Sequence, residues 1–152
     1  KPLIVKVEKD DITAANAAKK EAFFLKIVNK HGIGPRLHVY DHEKRYIITE
    51  YFEGPFIIDY LKEERDYGRI RVTVMDLLKK AFKLDIIGIS HKELALPKKH
   101  IIVTKDGPRI IDFEKCSMTR KPKILSQLIQ FFFHFLFNRI PVLDISDSFD
   151  ML

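Results

Sequence analysis

At 152 residues the chain has the length of one domain, or of two small lobes sharing a hinge. Hydrophobic residues make up 46% of it, enough for a core, which excludes disorder as a description of the whole. The formal net charge of +6 favours anionic partners such as nucleotides, nucleic acid or acidic protein surfaces, without choosing among them.

The chain opens at Lys1 without a methionine, directly before Leu3-Ile4-Val5, and shows no signal-peptide pattern. It reads as beginning inside a larger protein. Residues 1–8 predict a strand in which Leu3, Val5 and Val7 alternate with Ile4 and Lys6. On that alternation alone Lys6 takes the solvent face. Asp10, Asp11 and Thr13 offer caps for a helix from Ala14 to Lys30, closed by His31-Gly32 with Pro35 beyond. Glu21 shares a helical face with Phe24 and Val28, so its carboxylate is expected to point inward and to need a cation, with Lys6 as the candidate. A solvated Glu21 in its Lys-Lys-Glu run is the competing reading.

After Gly-Ile-Gly-Pro, two strand-like runs, Arg36 to Asp41 and Arg45 to Tyr51, predict a hairpin. Glu53-Gly54-Pro55 breaks the pattern and marks a lobe boundary, dividing the chain into 1–53 and 54–152. Downstream the period becomes helical, with a short helix from Phe56 to Glu64 and a charged loop from Glu63 to Arg71. A longer helix from Arg69 to Leu84 carries Val72, Met75, Leu78, Ala81 and Phe82 at helical spacing.

The stretch from Ile89 to Cys116 holds a His91-Lys92-Glu93-Leu94 turn and the strand Ile101-Ile102-Val103. A Lys-Asp-Gly-Pro turn and a second strand ending in Ile111-Asp112-Phe113-Glu114 complete it. Cys116 is the only cysteine, which excludes an internal disulfide and a multi-cysteine zinc site and makes a reducing cytoplasm the expected compartment. The last strong helical segment, Lys121 to Asn138, is apolar almost all round, but its unbroken apolar runs are too short for a membrane span. It predicts a buried or covered helix and no membrane partner. The tail from Asp144 to Asp150 is acidic.

A strand with Lys6, a helix with Glu21, a hairpin, a hinge, helices, a His-x-Glu loop and a hairpin ending in Asp-Phe-Glu follow one another in an order that resembles the protein-kinase-like fold. The expected class is therefore α+β: a reduced two-lobe fold with an incomplete antiparallel small-lobe sheet and a mainly helical large lobe. The resemblance implies an ATP-dependent phosphotransferase using magnesium. It gives Lys6, braced by Glu21, the nucleotide phosphates, and Asp112 the metal. Glu93 becomes the base at the acceptor hydroxyl, and the backbone of Glu50, Tyr51 and Phe52 the receiver of adenine. His91 braces the loop.

The departures narrow the resemblance. Glu93 stands where the family loop has Asp, and His100 falls in the place of the Asn that holds a second magnesium. Glu114 replaces the Gly after Asp-Phe, and Cys116 to Lys123 leaves little room for an activation segment. That pattern is similar to the reduced atypical kinases, the RIO and KEOPS-associated types and archaeal predicted serine/threonine kinases. Asp-Phe-Glu is also found in choline-kinase-like and aminoglycoside-kinase-like enzymes. The family's Gly-rich hairpin would precede Lys1. Three other readings stand beside a serine/threonine protein kinase: a pseudokinase or scaffold binding a protein partner, a small-molecule kinase, and an RNA-binding domain using Lys98, Lys99, Arg120, Lys121 and Lys123. A metallohydrolase using His91, Glu93, His100 and Asp112 fits none of the common helical zinc spacings.

Overall fold

The computed structural model describes residues 1–10 and 16–139. Strand β1 (Leu3–Val7) leads to helix α1 (Ala17–Val28), which is extended by a single 3-10 turn (Asn29–His31). Strands β2 (Leu37–Asp41) and β3 (Tyr46–Glu50) form the expected hairpin. Helices α2 (Ile57–Glu63) and α3 (Tyr67–Ile87) follow, then β4 (Ser90–His91) and a 3-10 turn (Lys92–Ala95). Strands β5 (Ile101–Thr104), β6 (Gly107–Ile110) and β7 (Cys116–Ser117) precede helix α4 (Ile124–Arg139). Among the described residues this is an α+β fold with four α-helices and only antiparallel sheets, ordered β1-β3-β2, β4-β7 and β5-β6. Asp11, Thr13, Ala14 and the acidic tail lie outside the described residues.

The first sheet corrects the expected polarity of β1. Leu3, Val5 and Val7 are exposed, and Ile4 and Lys6 take the more covered face. A strand's side chains alternate strictly, so once Lys6 turns toward α1 the three apolar residues must turn out. Helix α1 buries Ala18, Glu21, Ala22, Phe24, Leu25 and Val28, an i, i+3, i+4, i+7 face. Its first turn is served by Glu8, whose carboxylate accepts the backbone N–H of Asn16 at 2.8 Å and of Ala18 at 3.3 Å. Asp10, expected as a cap, instead meets Arg45.

Helix α3 also differs from expectation. It starts at Tyr67, inside the predicted loop, because the Asp66 carboxylate caps Gly68 and Arg69 at 2.8 and 3.3 Å. Its buried face is Ile70, Thr73, Leu77, Ala81 and Leu84, and Val72, Met75 and Phe82 are exposed. In α4, Ile124, Leu128 and Phe132 are buried against one continuous core and Phe133 and Phe137 are exposed, so this helix is only partly covered by the described residues. Its N-terminus is held from α3, where Asp85 accepts the N–H of Ile124 at 2.8 Å and of Leu125 at 3.0 Å.

The chain at Gly54, where the sequence predicts a lobe boundary, makes a tight crossing. Gly54 has φ +152°, and a Cβ there would lie 2.1 Å from the Val103 carbonyl oxygen. The adjacent Pro55 carbonyl accepts the Val103 N–H at 2.9 Å, tying the segment after β3 to β5. Phe113, fully buried, spans the same junction: its ring packs edge-on to His91 at 5.4 Å between centroids, and a Cβ on Gly34 would meet it at 2.9 Å. Burying such a ring is worth about 3 kcal/mol. No helix of the described residues is long and apolar enough to cross a membrane.

Candidate functional site

Four elements bring the charged side chains together. Lys6, on the covered face of β1, donates from Nζ to Glu21 Oε1 of α1 at 2.8 Å. Glu21 is 2% exposed, and burial raises its carboxyl above the ordinary range against the downward pull of Lys6. The same ammonium lies 3.9 Å from Asp112 Oδ1. Lys6 thus bridges a sealed carboxylate and an open one.

Asp112 reaches this position by a sharp backbone turn. It follows the end of β6 and has φ +69°, a left-handed conformation that Asp adopts more readily than most non-glycine residues. The turn places Phe113 in the core and sends the flanking carboxylates toward α1. Oxygens of Glu21, Asp112 and Glu114 come within 4.8 Å of one another. Hard carboxylate oxygens at that spacing fit a small divalent cation such as magnesium, with Asp112 and Glu114 the members that make no hydrogen bond to Lys6.

The turn after β4 supplies the other wall. Glu93 Oε1 accepts from Lys115 Nζ at 3.1 Å, and that hydrogen bond holds its carboxyl below the ordinary range. His100 Nε2 stands 3.5 Å from Asp112 Oδ2 and 4.0 Å from Glu93 Oε2, linking the two acids. His91 is buried beneath. Its Nε2 lies 3.1 Å from the Ile111 carbonyl, which can only accept, so the neutral ring carries its proton there. Nδ1 has no partner among the described residues. A second proton would therefore sit on a buried, unpaired nitrogen, and burial pushes the imidazole below its ordinary value. His91 fixes the backbone beside Asp112 and β4–β7 pairing locks it there, with His91 opposite Cys116. Burial pushes the Cys116 thiol up to about 12, which leaves it protonated and inert.

Of the predicted residues, Lys6, Glu21, Glu93, His100 and Asp112 converge. Glu50, Tyr51 and Phe52 lie apart, lining a depression of about 390 Å³ with Lys1, Lys105 and Arg109. The Arg109 guanidinium stacks 5.6 Å from the Phe52 ring centre, and the Tyr51 N–H donates to Pro2 at 3.0 Å. Glu50 Oε1 faces Lys1 at 3.4 Å. Two participants were missed from the sequence. Glu114 figures in the sequence only as the residue in place of the family's glycine, and Lys115 is given no role; the position of Glu114 beside the apolar Phe113 is a signal for the first, and nothing in the sequence marks the second.

No protein-family model matches the chain. An uncharacterized protein of the archaeon Methanocaldococcus jannaschii is 35% identical over 71 residues, which are 47% of this chain and 60% of that protein.

Proposed function

We propose that the chain carries the phosphate-binding and catalytic part of an atypical kinase-like phosphotransferase that moves the γ-phosphoryl group of ATP to a hydroxyl, with a serine or threonine of a protein as the first acceptor class. The observation that carries this reading is the meeting of Lys6, Glu21 and Asp112 within 3.9 Å contacts, from three separate elements. A lysine held by a buried carboxylate keeps its flexible stem in one place, where it can neutralise phosphate oxygens.

The strand register supports where the rest of the nucleotide goes. Leu3 pairs with Glu50 and Lys6 with Ile47, so three residues, about 10 Å of strand, separate the base end of the site from the phosphate end. A purine base and its diphosphate span a similar length. With the Tyr51 N–H already given to Pro2, Phe52 then offers its backbone groups and an aromatic edge to adenine. A bound magnesium ion supplies charge neutralisation at the phosphate oxygens. Asp112 and Glu114 would hold it, and His100 orients the Asp112 carboxylate from the far side. In the transfer itself the acceptor oxygen bonds the γ-phosphorus as the bond to the bridging oxygen breaks, ADP leaves, and the acceptor proton passes to Glu93. Lys115 keeps Glu93 ionised and ready to receive it.

The test is magnesium-dependent ATP binding by calorimetry and phosphate transfer from radiolabelled ATP, on the full chain and on Asp112→Asn. Asparagine tolerates the left-handed turn, so the fold should persist while transfer falls on the order of 100-fold. Transfer that continues unchanged would remove this site from consideration.

A further inference from the structure

Next to the Glu93 turn the surface dips into a concavity of about 610 Å³ formed by β4, the 3-10 turn and the segment entering α4. Lys92, Arg120, Lys121 and Lys123 line it, together with Ser90 and Gln127, and no carboxylate does. Among the described residues none of the four cations is in an ion pair. Like charges converging on one hollow repel, and a concave wall concentrates their field. A bound anion removes that repulsion.

We propose that this basic pocket seats a phosphomonoester carried by the acceptor, so that the substrate is a hydroxyl compound already bearing one phosphate. The acceptor role rests on the phosphotransferase reading of Glu93; the anion site stands on its own geometry. A phosphomonoester has about two negative charges and three acceptor oxygens near neutral pH, a closer match to four cations than one carboxylate. Arg120 can grip two of those oxygens at once, and the lysines act as point charges. Lys92 precedes Glu93 directly, which sets a phosphate held in the pocket beside the turn that would present a hydroxyl to Glu93. Nucleic acid fits less well. The lining contains no Phe, Tyr or Trp on which a base could stack, and the cations surround one hollow rather than tracking a strand.

Titrate the full chain, without ATP or magnesium, with O-phosphoserine peptide, glycerol phosphate, the unphosphorylated peptide and a single-stranded RNA. Repeat the titrations with Lys121→Gln/Lys123→Gln, whose two positions are exposed, and with Asp112→Asn. Circular dichroism checks the fold of each. Phosphorylated probes should bind wild type and Asp112→Asn alike, and at least about tenfold more weakly to the double variant, from the loss of two charge-assisted contacts. The peptide binding tighter than glycerol phosphate assigns a protein acceptor, and the reverse a small molecule. Equal binding to wild type and the double variant overturns the pocket, as does RNA binding tighter than either phosphomonoester. Magnesium-ATP binding indifferent to Asp112→Asn, with phosphate binding intact, sinks the phosphotransferase reading and the acceptor role with it. Loss of magnesium-ATP binding in Asp112→Asn, with no phosphate binding at the pocket, sinks the pocket alone.

Discussion

Replacing Lys6 by Met keeps an unbranched apolar stem and removes the ammonium, which tests the central pair with little change of packing. The ammonium lies 2.8 Å from Glu21, whose side chain is 2% exposed against 38% for Lys6. Breaking a fully buried pair by removing one partner costs about 3–5 kcal/mol, and an exposed pair is worth about 0–1 kcal/mol. With one partner sealed and the other over a third open to water, the expected loss is about 2 kcal/mol near neutral pH. The stranded carboxylate can escape by taking a proton. Burial already raises Glu21 above its ordinary value of 4.5, and removing Lys6 lifts it further. The folded variant then keeps a proton that the unfolded chain releases, so its stability declines as pH rises from 4.5 through the folded value. The gap between wild type and variant should be small near about pH 4 and widen toward about pH 8. Urea denaturation followed by circular dichroism at several pH values measures it. Adding Glu21→Gln to Lys6→Met should abolish the pH dependence and recover at least about 1 kcal/mol. A loss that is the same at every pH, or single-variant losses that simply add, would refute a coupled buried pair.

Asp85→Ala removes the acceptor of two N–H groups at the start of α4 and should cost about 1–2 kcal/mol. Amide exchange at Ile124 and Leu125 should quicken, and unchanged rates would contradict the capping role. Gly54→Ala forces a Cβ against the Val103 carbonyl and should destabilise by about 2 kcal/mol or more in urea; wild-type stability in this variant would rule out the close crossing. Burial lowers His91, so the unfolded chain binds its proton first as pH falls below 6.5, and stability should drop through that range and on to the folded value. The slope from one group is bounded at about 1.4 kcal/mol per pH unit, and His91→Gln should flatten it in urea melts.

The parts legible in the sequence were those with a strong local signal. The β2–β3 hairpin follows from two alternating runs around a charged turn, and the inward Glu21 from its i+3 and i+7 apolar neighbours. The α+β class follows from the same patterns. Facing was less legible. Leu3, Val5 and Val7 outrank Ile4 and Lys6 in apolarity, yet α1 covers the other face of the sheet, where Ile4 and Lys6 sit opposite the buried Thr49 and Ile47 of β3 and Lys6 meets Glu21. The buried face of α3 was misassigned for a related reason: Val72, Met75 and Phe82 compete with Ile70, Leu77 and Leu84, and only tertiary packing decides between two apolar stripes. Asp66 as the cap of α3 was present in the sequence but hidden in a run of charges. The turn at Asp112 had no period to announce it, since it depends on a left-handed residue between β6 and a buried ring.

That turn explains why the site is made of so many acids. Phe113 must enter the core, so its neighbours Asp112 and Glu114 are forced to the same rim, where Glu21 is already buried and Glu93 faces them across His100. Four carboxylates then meet the ammonium groups of Lys6 and Lys115 and the imidazole of His100. Repulsion among Glu21, Asp112 and Glu114, whose oxygens lie within 4.8 Å of one another, opposes this arrangement, and a divalent cation would relieve it. Magnesium should therefore raise the melting temperature of the free chain before any nucleotide is added, and Asp112→Asn should blunt that rise. An equal rise in both proteins would place the ion elsewhere, and the acids would then be explained by Lys6, His100 and Lys115.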